Sequence, residues 1–202
     1  MAYEPMWITV HPPDHAAYYP GAHAMTLKVA FERGTGRLLG AQAIGTASVV
    51  KRIDVLSTAM QAGMTIFDLE NLELAYAPPF NSAKDLVNMA GFVGSNVLRG
   101  DVMIIHAENL QIEQHGVQIV DVRSTEEFSH GHVCTAINIP LNKLRENVGM
   151  LRQRQRIVVY CQVGYRGYIA YRILTQLGFD VVNFDGGYKS IVEGGFEHIF
   201  TD

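Results

Sequence analysis

Apolar positions follow two different rhythms along the chain, and the change falls near residue 100. Met6–His11 reads as extended chain, ended by Pro12-Pro13 and followed by the polar-aromatic stretch His15-Ala-Ala-Tyr-Tyr-Pro-Gly21. Thr26–Phe31 alternates apolar and polar residues, Glu32–Arg37 carries turn residues, and Leu38–Ile44 returns, which predicts a β-hairpin. Val50–Ala62 places Ile53, Leu56 and Met60 on one helical face, with Gly63 as a C-terminal stop. A short helix, Ile66–Leu72, is expected after Thr65. Ala75-Tyr-Ala-Pro-Pro-Phe80 cannot be regular helix, and Ser82–Leu98 returns to helical spacing. Arg99-Gly-Asp101 reads as a boundary.

Beyond it, short apolar runs at Val102–Ile105, Val117–Val122, Ala136–Ile139, Ile157–Tyr160 and Val181–Phe184 alternate with helical stretches. That alternation predicts a parallel sheet. The fold class expected is therefore an α+β unit over residues 1–99 followed by an α/β unit over residues 100–202. The chain has 202 residues, enough for two such units. A net charge of −4 speaks against nucleic acid or an anionic membrane as the main partner. No apolar run approaches the length of a membrane span, and Met1-Ala-Tyr-Glu-Pro5 has no signal-peptide character. The free thiol that the surroundings of Cys161 require makes a reducing cytoplasm the expected setting. Cys134 and Cys161 form neither a CxxC pair nor a zinc pattern, and no metal is expected. A disulfide between them would consume a thiol that the surroundings of Cys161 require to be free.

Those surroundings carry the chemistry. Ile157–Tyr160 reads as a buried strand and Tyr168–Leu177 as a helix, so Cys161 opens a strand-to-helix turn. Successive N–H groups in such a turn point inward, and the following helix adds its positive end, which favours an anionic sulfur. Gly164 lets the backbone close into that ring. Arg166 is a permanent cation that can orient an anionic donor or lock a carboxylate beneath it. Transfer of sulfane sulfur suits this arrangement, with Gln162, Val163, Gly164 and Tyr165 lining the donor's site. Asp121, at a strand end, pairs with Arg166, holds the loop, or merely caps a turn. Glu127 and His132 are read as satisfying local backbone groups, and Lys143, Arg145, Arg152, Arg154 and Arg156 as a solvated basic stretch.

Residues 102–195 resemble the rhodanese family. The match runs through Asp121-Val-Arg123, Glu127-Phe-Ser-His-Gly-His132, Ala136-Ile-Asn-Ile-Pro140, Cys161-x-x-Gly-x-Arg166 and Asp185-Gly-Gly187. The resemblance implies a rhodanese fold with Cys161 as the persulfide-carrying nucleophile and thiosulfate, a polysulfide or coenzyme A persulfide as donor. Related dual-specificity phosphatases use a loop one residue longer, whereas four residues separate Cys161 from Arg166, which favours sulfur transfer. Cys134 stands where the family usually has proline and is read as a packed small residue or a resolving thiol.

Residues 10–98 resemble the dimerisation domain of flavin- and pyridine-nucleotide-dependent disulfide reductases, most closely the coenzyme A disulfide reductase branch with a rhodanese tail. His11-Pro, His15–Gly21, Phe31–Gln42, Lys51-Arg-Ile-Asp54, Gln61-Ala-Gly-Met64 and Leu74–Phe80 carry the likeness. It implies a homodimer in which Tyr19 (or its neighbour Tyr18) and Tyr76 serve the partner's flavin-side thiol. Leu86 and Ser48-Val-Val50 depart from the usual pattern without touching the tyrosines. No GxGxxG fingerprint follows an N-terminal strand, and Gly34-x-Gly36-x-x-x-Gly40 has the wrong spacing. The chain therefore looks like the C-terminal piece of a larger reductase. No cofactor is expected within it, and FAD, NAD(P)H and coenzyme A are implied only for the full-length protein. Two readings stand: a sulfurtransferase domain coupled to a reductase, or a dimerisation module with an inactive or regulatory rhodanese tail.

Overall fold

A computed structural model describes residues 4–109 and 116–196. It divides into two compact units, Met1–Asp101 and Val102–Asp202. No helix among the described residues is long and apolar enough to cross a membrane.

In the first unit, β1 (Pro5–Val10), β2 (Thr26–Glu32) and β3 (Leu38–Ile44) form an antiparallel sheet in that order. The alternation has its physical outcome here: Leu27, Val29 and Phe31 turn to one face and are buried with Ile8 and Val10. Three helices cover that face: α1 (Val49–Gln61), α2 (Ile66–Leu69) and α3 (Leu86–Leu98). Helix α3 approaches so closely that a Cβ on Gly91 would stand 2.6 Å from the Glu70 nitrogen, and one on Gly94 would stand 2.4 Å from Ile66.

Two helix ends differ from expectation. Helix α2 stops at Leu69 rather than Leu72, because the Asn88 side chain takes the carbonyls of Leu69 and Leu72, each at 3.0 Å. Helix α3 starts at Leu86 rather than Ser82. Asp85 caps it by accepting from the Val87 N–H at 2.9 Å, while Asn88 Oδ1 accepts from the Asp85 N–H at 3.1 Å. The Asp85 carboxylate is only 2% exposed and faces the equally buried Arg52 guanidinium of α1 at 2.9 Å.

The second unit is a five-stranded parallel sheet in the order β4-β8-β7-β5-β6. Its strands are β4 (Ile104–Ile105), β5 (Val117–Asp121), β6 (Ile137–Asn138), β7 (Arg156–Tyr160) and β8 (Val181–Phe184). Between them lie α4 (Thr125–Ser129), two 3-10 turns, Leu141–Lys143 and Val148–Met150, and α5 (Tyr165–Gln176), and α6 (Gly187–Glu193) follows β8. The edge strands are shorter than their apolar runs: β4 pairs with β8 only at Ile104 and Ile105, and β6 gives way to Pro140, which has no N–H for a ladder. Ile119, Val158, Tyr160, Val182, Phe184 and Ile191 fill the core. Because all strands run the same way, Asp121, Cys161 and Asp185 come off carboxyl ends of neighbouring strands β5, β7 and β8, where α/β sheets open a crevice.

The Arg52–Asp85 pair supplies a stability prediction. Asp85→Ala removes the α3 cap and leaves a buried guanidinium uncompensated, so urea unfolding should register a loss of about 3–5 kcal/mol. A loss below about 1 kcal/mol, the size of a single helix cap, would contradict the pairing.

Candidate functional site: a buried cysteine loop and a tyrosine pair

Cys161 follows β7 and is only 1% exposed, so its thiol lies at the floor of the loop. Gly164 stands at φ +96°, and the first helical bond, from the Tyr168 N–H to the Gly164 carbonyl, measures 2.9 Å. The helix therefore starts at Tyr165, three residues ahead of the predicted start, which places Arg166 on its first turn. The Tyr188 N–H donates to the Cys161 carbonyl at 2.8 Å and the Lys189 N–H to the Gln162 carbonyl at 3.0 Å. Both carbonyls are thus tied back into α6. The N–H groups of Gln162, Val163 and Gly164 make no backbone hydrogen bond among the described residues. Gly186 and Gly187, at φ +66° and +67°, make this approach possible: a Cβ on Gly187 would stand 2.4 Å from the Cys161 oxygen.

Arg166 pairs with Glu127, not with Asp121. Its Nη1 donates to Oε2 at 2.7 Å and its Nη2 to Oε1 at 2.6 Å, a bidentate fork. Glu127 Oε2 also accepts the Ser124 N–H at 2.9 Å, so the carboxylate both caps α4 and holds Arg166. The Arg166 hydrogen bonds lower the Glu127 pKa to about 2. The same bonds raise that of Arg166, with a further contribution from the neighbouring Cys161 thiol.

Asp121, with no exposed surface, belongs to a different guanidinium. Arg123 wraps back onto it, Nε at 2.9 Å and Nη2 at 2.7 Å from Oδ2, and the Arg123 N–H reaches Oδ1 at 2.8 Å. Arg123 also donates to the Gly131 carbonyl at 2.7 Å and to Gln162 Oε1 at 3.2 Å, and lies 3.9 Å over the Tyr188 ring. Asp121 therefore touches the loop through Arg123 rather than directly, and the Gln162 side chain is turned onto that arginine. Val163 and Tyr165 are exposed. Both cysteines are free thiols, with Cys134 half-buried.

The sequence reading gave Glu127 only a local capping role and Arg123 and Gly187 none beyond a motif. Ser124-x-x-Glu127 spacing does announce a capping box. The second use of that carboxylate depends on a residue 39 positions away, which spacing does not reveal.

In the first unit the hydroxyls of Tyr18 and Tyr76 meet at 2.6 Å. Tyr19, which the family resemblance names first beside Tyr76, sets its ring edge-on to His15 with centroids 6.0 Å apart. The turn that hydrogen-bonds the Tyr19 N–H to the Ala16 carbonyl at 2.8 Å sends the two neighbouring phenols different ways. Gly36 lies at φ +73° between β2 and β3, so Gly34, Gly36 and Gly40 belong to a hairpin and do not fit a dinucleotide.

Glu127 yields a pH prediction. Its folded pKa lies below the ordinary 4.5, so its pairing stabilises the protein above that pH and is lost as pH falls toward about 2. The difference in thermal midpoint between the parent protein and Glu127→Gln should be greatest above pH 4.5 and shrink toward pH 2. A difference independent of pH across that window would contradict the assignment.

Comparison with known proteins places the two units. Residues 2–87 match the pyridine nucleotide-disulphide oxidoreductase dimerisation domain and residues 107–194 the rhodanese-like domain. Coenzyme A disulfide reductase of Staphylococcus haemolyticus is 51% identical over 78 residues, 39% of this chain and 18% of that protein. The reduced CoADR-RHD of Bacillus anthracis superposes on 98% of this chain with a TM-score of 0.94 at 37% identity, covering 36% of its own length. An NAD-dependent persulfide reductase from A. fulgidus superposes on 92% of this chain with a TM-score of 0.83 at 42% identity, covering 34% of its own length. The chain thus spans about a third of these solved relatives. It joins a pyridine nucleotide-disulphide oxidoreductase dimerisation domain to a rhodanese-like domain, and so fits the C-terminal piece of a coenzyme A disulfide reductase-like protein.

Proposed function

We propose that residues 100–202 form a sulfurtransferase domain that carries sulfane sulfur as a persulfide on Cys161, joined to a dimerisation domain over residues 1–99. The observation that carries this reading is the loop itself: Cys161 lies at its floor, and its carbonyls are drawn off into α6 by the Tyr188 and Lys189 N–H groups. Loop N–H groups without backbone partners are then available to a sulfur anion, and Arg166 adds a fixed cation beside the thiol.

With thiosulfate as donor, the Cys161 thiolate attacks the outer sulfur. A new S–S bond forms to Cys161, the donor's S–S bond breaks, and sulfite leaves with the electron pair. Cyanide then removes the outer sulfur as thiocyanate and returns the thiolate. A polysulfide or coenzyme A persulfide delivers its terminal sulfur in the same way. Because the thiol is almost covered, donors reach it end-on past Val163 and Tyr165.

The physiological setting proposed is a homodimeric, flavin-dependent coenzyme A disulfide or persulfide reductase, supported by the names of the relatives and the dimerisation-domain match. In it, FAD and NAD(P)H are bound by segments outside this chain, whose own glycines do not fit a dinucleotide, and coenzyme A is the substrate-side group implied for the full-length protein. Exposed Tyr18 and Phe80 offer apolar surface to a second copy. The Tyr18–Tyr76 pair serves thiol–disulfide chemistry there, since a phenol can donate to a thiolate or a leaving sulfur.

Two measurements test the sulfur step. Thiosulfate:cyanide sulfurtransfer should be abolished by Cys161→Ser, and mass spectrometry should find one added sulfur on the Cys161 peptide after exposure to thiosulfate or polysulfide. Thiocyanate production surviving in the serine variant would overturn the assignment. Absence of turnover with all three donors would favour the inactive or regulatory tail. Gly187→Ala should cut the transfer rate at least tenfold, because its methyl group displaces the Cys161 carbonyl; unchanged kinetics would show that the α6 contact does not shape the loop.

A further inference from the structure

A buried ionic network in the first unit ends at two exposed phenols. The Arg52 guanidinium, 1% exposed, donates to the Asp14 carbonyl at 2.6 Å and to Asn81 Oδ1 at 2.9 Å, and faces Asp85 at 2.9 Å. Asp14 opens the segment that carries Tyr18, and Asn81 closes the one that carries Tyr76. Asn81, with no exposed surface, ties the two together. Its Nδ2 donates to the Ala75 carbonyl at 2.9 Å, its backbone N–H to the Ala77 carbonyl at 3.0 Å, and its own carbonyl accepts from the Ala16 N–H at 3.2 Å. Ala75 and Ala77 flank Tyr76, and Ala16 lies two residues before Tyr18.

The phenols at the far end meet at 2.6 Å although Tyr18 is 75% exposed and Tyr76 47% exposed. A hydrogen bond in that position competes with water and with the rotamer freedom of both rings, so it contributes little by itself. Two hydroxyls 58 positions apart stay together only if the backbone beneath each is held. The buried groups beneath them do that.

We infer that Asn81, seated on Arg52, is the positioning residue that fixes both tyrosine segments so that Tyr18 and Tyr76 present one joined hydrogen-bonding site. This rests on the proposal that the tyrosine pair serves thiol–disulfide chemistry. Asn81 reaches the phenols only through backbone, and its contribution is register. An aspartate there keeps an acceptor for Arg52 but turns a carboxylate oxygen toward the Ala75 carbonyl, which pushes the Tyr76 segment away.

Tyrosine labelled at Cζ with carbon-13 gives the readout. The Tyr76 resonance, identified by its disappearance in Tyr76→Phe, should titrate above the ordinary 10.0 because Tyr18 holds its hydroxyl. Tyr18→Phe should bring the midpoint down to about 10. The same fall is expected in Asn81→Ala with Tyr18 still present, and in Asn81→Asp, which remains informative should the alanine variant lose its cooperative thermal transition. A midpoint that falls in Tyr18→Phe yet holds in the Asn81 variants overturns the inference, as does one that ignores Tyr18→Phe. If Asn81→Asp shifts the midpoint but leaves disulfide reduction by a complete reductase intact, the positioning stands and the role of the pair in reduction falls.

Discussion

Two main-chain hydrogen bonds decide what Cys161 can do: Tyr188 N–H to the Cys161 carbonyl and Lys189 N–H to the Gln162 carbonyl. A loop of this length has as many carbonyls as N–H groups, and without a partner for the carbonyls its interior would hold dipoles of both signs. Drawing two carbonyls into α6 leaves the N–H groups to define the field at the sulfur. The approach needs bare backbone at Gly187, where any Cβ would meet the Cys161 oxygen and the Gly164 nitrogen. The glycines after β8 therefore belong to the cysteine site as much as Gly164 does.

Two ion pairs flank the loop with different consequences. Arg123 and Asp121 are buried and interlocked, and the guanidinium reaches Gln162, Gly131 and the Tyr188 ring, so one side chain joins β5, the loop and α6. Breaking such a pair strands a charge away from water, which makes it a rigid support. Arg166 and Glu127 are each about a third exposed, so water screens their attraction and the fork mainly fixes direction. The cation thereby stays beside Cys161 instead of ranging into solvent.

The first unit meets a related problem at exposed groups. Its paired phenols Tyr18 and Tyr76 stand at the surface, and its ionic groups lie beneath them. Arg52 crosses from α1 to meet Asp14, Asn81 and Asp85, so the cap of α3 and both tyrosine segments share one buried cation. Precision at an exposed position comes from order in the backbone below it.

Much of this was legible in the sequence. Period-two alternation marked β2, the turn residues after it marked β3 as its hairpin partner, short apolar runs marked β7 and β8, and the Cys161-x-x-Gly-x-Arg166 spacing marked the loop, because each follows from neighbours within a few residues. Tertiary structure alone decided which carboxylate Arg166 takes, which tyrosine meets Tyr76, and where α2 and α3 end. Those outcomes depend on groups far apart in sequence: Glu127 and Arg166 meet across 39 positions, Tyr18 and Tyr76 across 58, and Asn88 takes a carbonyl 19 positions away. Local spacing fixes the direction a side chain leaves its own element, but a hydrogen bond also requires its partner's position, which only the packed sheet and helices supply.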